Sequence, residues 1–237
     1  MLPVLFNLGP LVISPLTLLS PLAFMVASFI LWRGLKEDYP EEEIISLTIY
    51  LALIFLVGAR LVYVITHFEE FQFFPLRWLL PGHYPGFSFF GGFLACLGWL
   101  IFWSKRKAWD FWEIAEVLVF AWFVSVALVG AGLYLISGRL IFLGEALLGL
   151  VLLPFSLFLK KKYRTFVWYK SGKLGFVSCV LTAIFMLGKL ILEIISRSGL
   201  YWEGIFLLGA AIASLVILYL RSGRSIKEDL SHGKIEH

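Results

Sequence analysis

Residues 44–66 read IISLTIYLALIFLVGARLVYVIT, and this stretch decides the fold class. It holds a single charged side chain, Arg60. A helix of about 20 apolar residues spans the hydrocarbon core of a bilayer, so the stretch predicts a transmembrane helix. Six further apolar stretches of similar length are found at 14–33, 87–104, 114–136, 140–159, 174–195 and 201–220. The sequence therefore predicts an all-α, polytopic membrane protein with seven transmembrane helices.

The composition agrees with this fold class. Of the 237 residues, 60% are apolar and 17% are aromatic, and the mean hydropathy is +0.91, which excludes an ordinary soluble domain. We expect one seven-helix transmembrane domain over residues 1–220 and a polar cytoplasmic tail over residues 221–237. The net charge of +4 does not indicate a nucleic-acid partner, because the basic residues flank the apolar stretches, where they face an anionic leaflet.

The distribution of Lys and Arg residues predicts the orientation in the membrane. Fifteen of the twenty lie in alternate loops and in the tail, at 33–43, 105–113, 160–173 and beyond residue 220. The opposite loops hold only Arg77, Arg139 and Arg197. Because cytoplasmic loops are enriched in Lys and Arg, we expect the N-terminus outside and the C-terminus in the cytoplasm.

Five ionisable side chains fall inside the predicted helices: Arg60, Glu116, Glu145, Lys189 and Glu193. A charge at the centre of a bilayer costs at least about 2.5–3.5 kcal/mol, so each is expected to face the helix bundle and to have a partner. In the predicted orientation all except Glu116 lie in the outer half of the membrane, within roughly one or two helical turns of the same depth. Glu116 lies at the cytoplasmic end, where we expect its side chain to extend to water.

Two interpretations of the four outer charges remain open. They can form a structural ion-pair cluster, in which Lys189 pairs with Glu193 four residues later and Arg60 pairs with Glu145. Alternatively, they line a polar cavity in which Arg60 and Lys189 hold a phospholipid phosphate while the two carboxylates orient these cations. Charge and depth alone do not separate the two interpretations.

The sequence does not indicate metal or cofactor chemistry. The four histidines all lie outside the predicted helices, at His67, His83, His232 and His237. The two cysteines, Cys96 and Cys179, lie in different predicted helices, and the chain has no C-x-x-C or H-x-x-x-H spacing. We therefore expect neither a metal site nor a cofactor.

Four short segments, in order along the chain, resemble motifs of the bacterial prolipoprotein diacylglyceryl transferase family. They are GARLVYV at 58–64, FSFFGG at 87–92, LGEAL at 143–147 and GKLILE at 188–193. The family patterns that they resemble are G-[AG]-R-[LI]-G-Y-V, S-F-H-G-G, Q-L-Y-E-x-L and F-R-[IF]-x-x-E. Seven spans with the N-terminus outside are also the topology of this family, so the resemblance covers nearly the whole chain.

The resemblance implies a reaction, a location and a set of site residues. Members of the family transfer the diacylglyceryl group of phosphatidylglycerol to the thiol of a lipobox cysteine, at the outer face of the bacterial cytoplasmic (inner) membrane. The implied partners are phosphatidylglycerol and prolipoprotein signal peptides. The implied catalytic residues are Arg60, Lys189, Glu193 and Glu145, and the implied lipid-binding residues are Arg60, Tyr63, Gly91, Gly92 and Lys189.

The sequence departs from the family pattern where chemistry is expected. The family signature G-R-x-G-N-F-x-N-G-E aligns with residues 130–139, but its arginine, asparagines and glutamate are replaced by Ala131, Tyr134, Ser137 and Arg139. Phe90 replaces the histidine of S-F-H-G-G, and Lys189 replaces an arginine and so lacks the bidentate fork. The outer head domain of the family, after the fourth helix, is missing. The chain resembles a shortened, divergent member.

These departures leave several functions open. If the chain is an active transferase, the resemblance leaves Glu145 or Glu193 to act as the base for the thiol. A second possibility is a catalytically inactive relative that binds phospholipid or a membrane partner. An ion-coupled transporter is a third, weaker one, because the charges form one outer layer and no path across the membrane.

Overall fold

The computed structural model describes residues 6–8, 11–71, 86–166, 169, 173–196 and 201–223. Seven long helices occupy most of this part: α1 (Pro15–Leu35), α2 (Glu41–Thr66), α3 (Phe89–Lys107), α4 (Phe111–Ser137), α5 (Leu140–Lys162), α6 (Phe176–Ser196) and α7 (Tyr201–Arg221). They correspond one to one to the seven predicted stretches, with ends displaced by at most three residues. The predicted helical fold and its helix order are confirmed.

The chain before α1 differs from expectation. Pro10, Pro15 and Pro21 favour an irregular start and a regular helix only from Leu22, but α1 begins at Pro15. Proline is tolerated at the first helical position, because the N–H that it lacks would have no partner within the helix there. Ser14 and Thr17 cap this end, because each side-chain oxygen accepts the backbone N–H of the other. Before the cap, β1 (Phe6–Leu8) and β2 (Leu11–Ile13) form an antiparallel hairpin in which Asn7 lies opposite Val12. This hairpin was not predicted.

Two short elements complete the described residues. Phe68–Phe71 forms a one-turn helix directly after α2, and Tyr163–Thr165 forms a 3-10 turn after α5. The aromatic residues and prolines of segment 67–86 favour a location in the headgroup zone, with a short interfacial helix. The one-turn helix lies at its start, and residues 72–85 are outside the described part of the chain.

Within the described ranges, six helices are long and apolar enough to cross a membrane: Pro15–Leu35, Glu41–Thr66, Phe111–Ser137, Leu140–Thr165, Phe176–Ser196 and Trp202–Arg221. The protein is therefore a multi-pass membrane protein. α3 is not among these six, because it carries three glycines and the charged end Lys105–Lys107. A seventh crossing and the orientation of the termini stay predictions.

The chain divides into two compact units, and residues 31–111 form one of them. In this unit α2 and α3 pack closely through small residues. A side chain at Gly58 would collide with Ala95 and with the Gly91 carbonyl, and one at Gly91 would collide with Val62. Glycines at such points let two helix backbones approach. At the far end of the pair, Lys107 forms a 2.7 Å ion pair with Glu43.

Residues 1–30 and 112–237 form the other unit. Here Glu116 is only 4% exposed, and its Oε1 accepts the Gly175 N–H at 2.7 Å, just before α6 begins. The expectation that Glu116 extends to water was wrong. Its carboxylate satisfies backbone N–H groups at the start of a helix, where negative charge is favoured. Nearby, Arg221 donates to the Leu174 carbonyl at 3.0 and 2.7 Å.

Candidate functional site

Arg60 lies on a buried face of α2 with only 9% of its surface exposed. Its Nη1 donates a hydrogen bond of 3.0 Å to the Gly86 carbonyl. Its guanidinium carbon lies 5.0 Å from the centre of the Phe71 ring and 5.9 Å from that of Phe87. Ring faces attract cations, so the charge is held by a carbonyl dipole and by aromatic rings in a place that water reaches poorly.

Tyr63, one turn after Arg60, contacts the end of α2, the one-turn helix that follows it and the segment before α3. Its ring stacks on the His67 imidazole with centres 4.2 Å apart and meets the Phe71 ring edge-on at 6.1 Å. The same ring occupies the place that a side chain on Gly86 would take. Gly86 has a φ of +149°, a conformation that residues other than glycine rarely adopt. Arg60, Tyr63, His67, Phe71 and Gly86 are called the Arg60 cluster below.

The segment around Ser88 fixes the start of α3 against α2. The Ser88 N–H donates to the Ala59 carbonyl at 2.9 Å, and its side-chain oxygen caps α3 by accepting the Gly91 N–H at 3.4 Å. The two motif segments 58–64 and 87–92 therefore lie side by side. Gly91 and Gly92 are buried in this helix contact, where a side chain on Gly92 would meet the Phe55 ring. Their contact with lipid stays a prediction.

Lys189 forms the centre of a second charged group, which we call the Lys189 cluster together with Glu145 and Glu193. Its Nζ lies 2.5 Å from Glu145 Oε1 and 3.4 Å from Glu193 Oε1. The three side chains are between 10% and 16% exposed. The pairing of Lys189 with Glu193 agrees with the structural interpretation of the sequence, whereas Glu145, which that interpretation paired with Arg60, contacts Lys189.

Close approach of α5 and α6 makes the Lys189 cluster possible. Gly144 lies against Leu192, and Gly188 lies against Leu148, so that a side chain at either glycine would collide with its neighbour. The glycines directly precede Glu145 and Lys189, and they bring the two backbones close where the charges meet. The Arg60 cluster belongs to the unit of residues 31–111 and the Lys189 cluster to the other unit. Convergence of the four charges in one layer stays a prediction.

His67 is the member of the Arg60 cluster that reasoning from the sequence did not single out. It was set aside because it lies beyond the predicted end of a helix. Its spacing was the available signal, since Arg60, Tyr63 and His67 are separated by three and four residues and so share one face of α2. The imidazole Nδ1 lies 3.1 Å from the Tyr63 carbonyl oxygen and 3.1 Å from Thr66 Oγ1. Among the described residues, His67 is the one histidine.

The fold and these clusters define a class of protein: a multi-pass membrane protein that buries charged side chains in its helices. The family model for prolipoprotein diacylglyceryl transferase matches residues 3–138, which is more than half of the chain. The chain therefore belongs to the prolipoprotein diacylglyceryl transferase family. The matched range contains the Arg60 cluster and ends before Glu145 and Lys189.

Individual relatives support the same family. The phosphatidylglycerol–prolipoprotein diacylglyceryl transferases of Acinetobacter baumannii strains ATCC 17978 and SDF are each 35% identical to this chain over 112 residues. The enzyme of the same name from Acinetobacter baylyi is 34% identical over 112 residues. Each alignment covers 45% of this chain and 41% of the relative, so the chain spans less than half the length of these curated relatives.

Proposed function

We propose that this protein is a diacylglyceryl transferase. It moves the diacylglyceryl group of phosphatidylglycerol to the thiol of a lipobox cysteine at the outer face of a bacterial cytoplasmic membrane. The observation that carries this proposal is the Arg60 cluster, a buried cation in the part of the chain that matches the family. The relatives named above are transferases for phosphatidylglycerol and prolipoprotein, which supports both substrates.

The chemistry requires cations near the phosphate of the donor lipid. When the thiolate attacks the glyceryl carbon, the departing glycerol phosphate gains negative charge on its ester oxygen. Fixed cations stabilise such developing charge best in a region from which water is excluded. We assign this task to Arg60 and to Lys189, with Glu145 and Glu193 orienting the Lys189 ammonium group.

A second candidate function is phospholipid binding without transfer. One structural observation favours it: the Lys189 ammonium already contacts two carboxylates, and these reduce its attraction for a further anion. The sequence adds Ala131 and Phe90, which replace an arginine and a histidine of the family motifs. In this alternative the protein retains lipid and a membrane partner but transfers nothing.

Complementation tests the proposal. The full chain is expressed in a bacterium depleted of its own transferase, and lipidation of a reporter lipoprotein is followed by its mobility and by mass spectrometry. The proposal expects lipidation by the wild-type chain and its loss in Arg60→Gln. The exposed Lys162→Gln variant serves as the control and retains lipidation. Phosphatidylglycerol that co-purifies with the wild-type protein without any lipidation would establish the second candidate instead.

A further inference from the structure

A histidine ends the helix face that carries Arg60. Arg60, Tyr63 and His67 occupy successive turns of α2 and its C-terminal cap, and the Tyr63 ring lies flat on the imidazole with an interplanar angle of 20°. Seven residues of α-helix advance roughly 10 Å along the axis. Arg60 and His67 therefore lie on one face of the helix, and their Cα atoms are separated by about 10 Å along the axis.

The contacts of Nδ1 favour one tautomer of His67. Nδ1 lies 3.1 Å from the carbonyl oxygen of Tyr63, and a carbonyl can only accept a hydrogen bond. A proton on Nδ1 lets the ring donate to this carbonyl, whereas an unprotonated Nδ1 would place its lone pair against the oxygen. Thr66 Oγ1, which is also 3.1 Å from Nδ1, can accept from Nδ1 when its single hydroxyl proton is donated to the Val62 or the Tyr63 carbonyl. In the neutral imidazole with the proton on Nδ1, the lone pair is on Nε2.

A thiol acceptor needs such a group. The thiolate, not the thiol, is the nucleophile, and a free cysteine is mostly protonated at neutral pH. We propose that His67 Nε2 is the base that removes the proton of the acceptor thiol. This inference rests on the transferase activity proposed above and assigns the base to a residue other than Glu145 and Glu193.

In the transfer step one C–S bond forms and one C–O bond breaks. Nε2 takes the thiol proton and His67 becomes an imidazolium. The sulfur electron pair forms a C–S bond to the glyceryl carbon that carries the phosphate ester, and the C–O bond breaks. The bond electrons leave with the phosphate oxygen, so that glycerol phosphate departs as a monoester. The imidazolium then returns its proton to the phosphate or to water, and His67 is neutral again.

The separation of His67 and Arg60 fits this in-line arrangement. The base must lie about 3 Å from the sulfur, and the sulfur attacks from about 3–3.5 Å. On the far side of the carbon, the phosphate oxygens bind a cation at about 2.8 Å. Base and phosphate-binding cation thus belong at opposite ends of a path of about 10 Å, which is similar to the rise of roughly 10 Å between the Cα atoms of Arg60 and His67.

The test uses the full-length protein in nanodiscs that contain phosphatidylglycerol, with a fluorescent lipobox peptide as the acceptor. His67→Phe keeps an aromatic ring on Tyr63, and His67→Asn keeps an N–H for the Tyr63 carbonyl. Both are expected to lower kcat by at least about 100-fold, the usual contribution of a general base, with unchanged thermal midpoint and unchanged co-purified lipid. Added imidazole should restore transfer in His67→Gly. The exposed Glu69→Gln variant is the control and keeps wild-type kcat.

The outcomes separate this inference from the function on which it rests. If the wild-type protein transfers and His67→Phe transfers within threefold of it, the assignment of His67 is overturned and the transferase function stands. Loss of kcat in Glu193→Gln together with full activity in His67→Asn would assign the base to the Lys189 cluster. If the wild-type protein fails where an Acinetobacter relative succeeds, the transferase function is overturned, and the assignment of His67 with it.

Discussion

Gly86 is the residue whose role the structure defines most tightly, because its conformation and its space are both restricted. Gly86→Ala forces a methyl group into the Tyr63 ring at a φ of +149°. We expect a loss of about 1–3 kcal/mol in stability, measured as the thermal midpoint of the protein in detergent.

Gly98→Ala is the matched control for this change. A side chain at Gly98 meets nothing within 4 Å, and the residue lies inside α3. Alanine is favoured over glycine in a helix by roughly 0.5–1 kcal/mol, so this variant should be as stable as the wild type or more so. Equal midpoints for the two variants would contradict the packing of Tyr63 on Gly86.

Arg60 allows a test of lipid binding that does not depend on turnover. Because a buried cation attracts a phosphate strongly in a region of low dielectric constant, Arg60→Gln should reduce the phosphatidylglycerol that co-purifies with the protein. Lys162→Gln removes the same charge from an exposed position and should not. Lipid content is measured by mass spectrometry of extracts, and an unchanged content in Arg60→Gln would remove Arg60 from the lipid site.

The buried charges show how far residue-level prediction reaches. Hydropathy located Arg60 and Lys189 inside helices, and the spacing of four predicted the contact of Lys189 with Glu193. The prediction that Glu116 extends to water was wrong because its partner, Gly175, lies 59 residues away in sequence. Helix spacing carries no information on such contacts. His67 was not singled out because its contact with the Tyr63 ring is visible only in the structure, where the same ring also packs on Gly86.

At the scale of elements, the cap that Glu116 provides for α6 can be tested directly. Glu116→Ala leaves the Gly175 N–H without its acceptor in a buried place, which costs about 1–3 kcal/mol. Glu116→Gln keeps an acceptor oxygen and should lose less. Glu42→Ala, at an exposed position in the first turn of α2, serves as the control. If Glu116→Ala unfolds at the wild-type temperature, the carboxylate does not stabilise the start of α6.

The elements themselves were largely predictable because hydropathy is a local property of the sequence. All seven long helices begin and end within three residues of the predicted bounds. The β1–β2 hairpin could not be predicted, because two strands of three residues are too short to show an alternating pattern. α3 was predicted as a span, yet its glycines, which pack it on α2, also reduce its apolar character.

At the scale of the whole molecule, the predicted orientation can be checked at the two ends of α5. Arg139 and Lys162 are both exposed and flank this one helix. In a background without Cys96 and Cys179, an impermeant thiol reagent applied to intact cells should label Arg139→Cys and spare Lys162→Cys. The opposite pattern would reverse the orientation that the distribution of Lys and Arg predicts.

Convergence of the Arg60 and Lys189 clusters is a second prediction at this scale. If they form one polar layer, Arg60→Gln and Glu145→Gln are coupled, and the double variant deviates from additivity by at least about 1 kcal/mol. Stability is followed by thermal unfolding of all four proteins of the cycle. Exposed Glu42→Gln, near the opposite end of α2 from Arg60, replaces Glu145→Gln in the control cycle and should give additive effects. Additivity in the Arg60–Glu145 cycle would show that the two clusters act independently.

The contact between Glu145 and Lys189 has a consequence for how the chain enters the membrane during synthesis. Translation completes α5 well before α6, so Glu145 leaves the ribosome without its counter-charge. Alone in lipid, α5 carries the penalty for the unpaired Glu145 charge, about 2.5–3.5 kcal/mol for a charge at the bilayer centre, whereas in α6 the Glu193 carboxylate already contacts Lys189. The two helices therefore have reason to leave the translocon together, as a hairpin, with α5 retained beside the protein-conducting channel until Lys189 has been made.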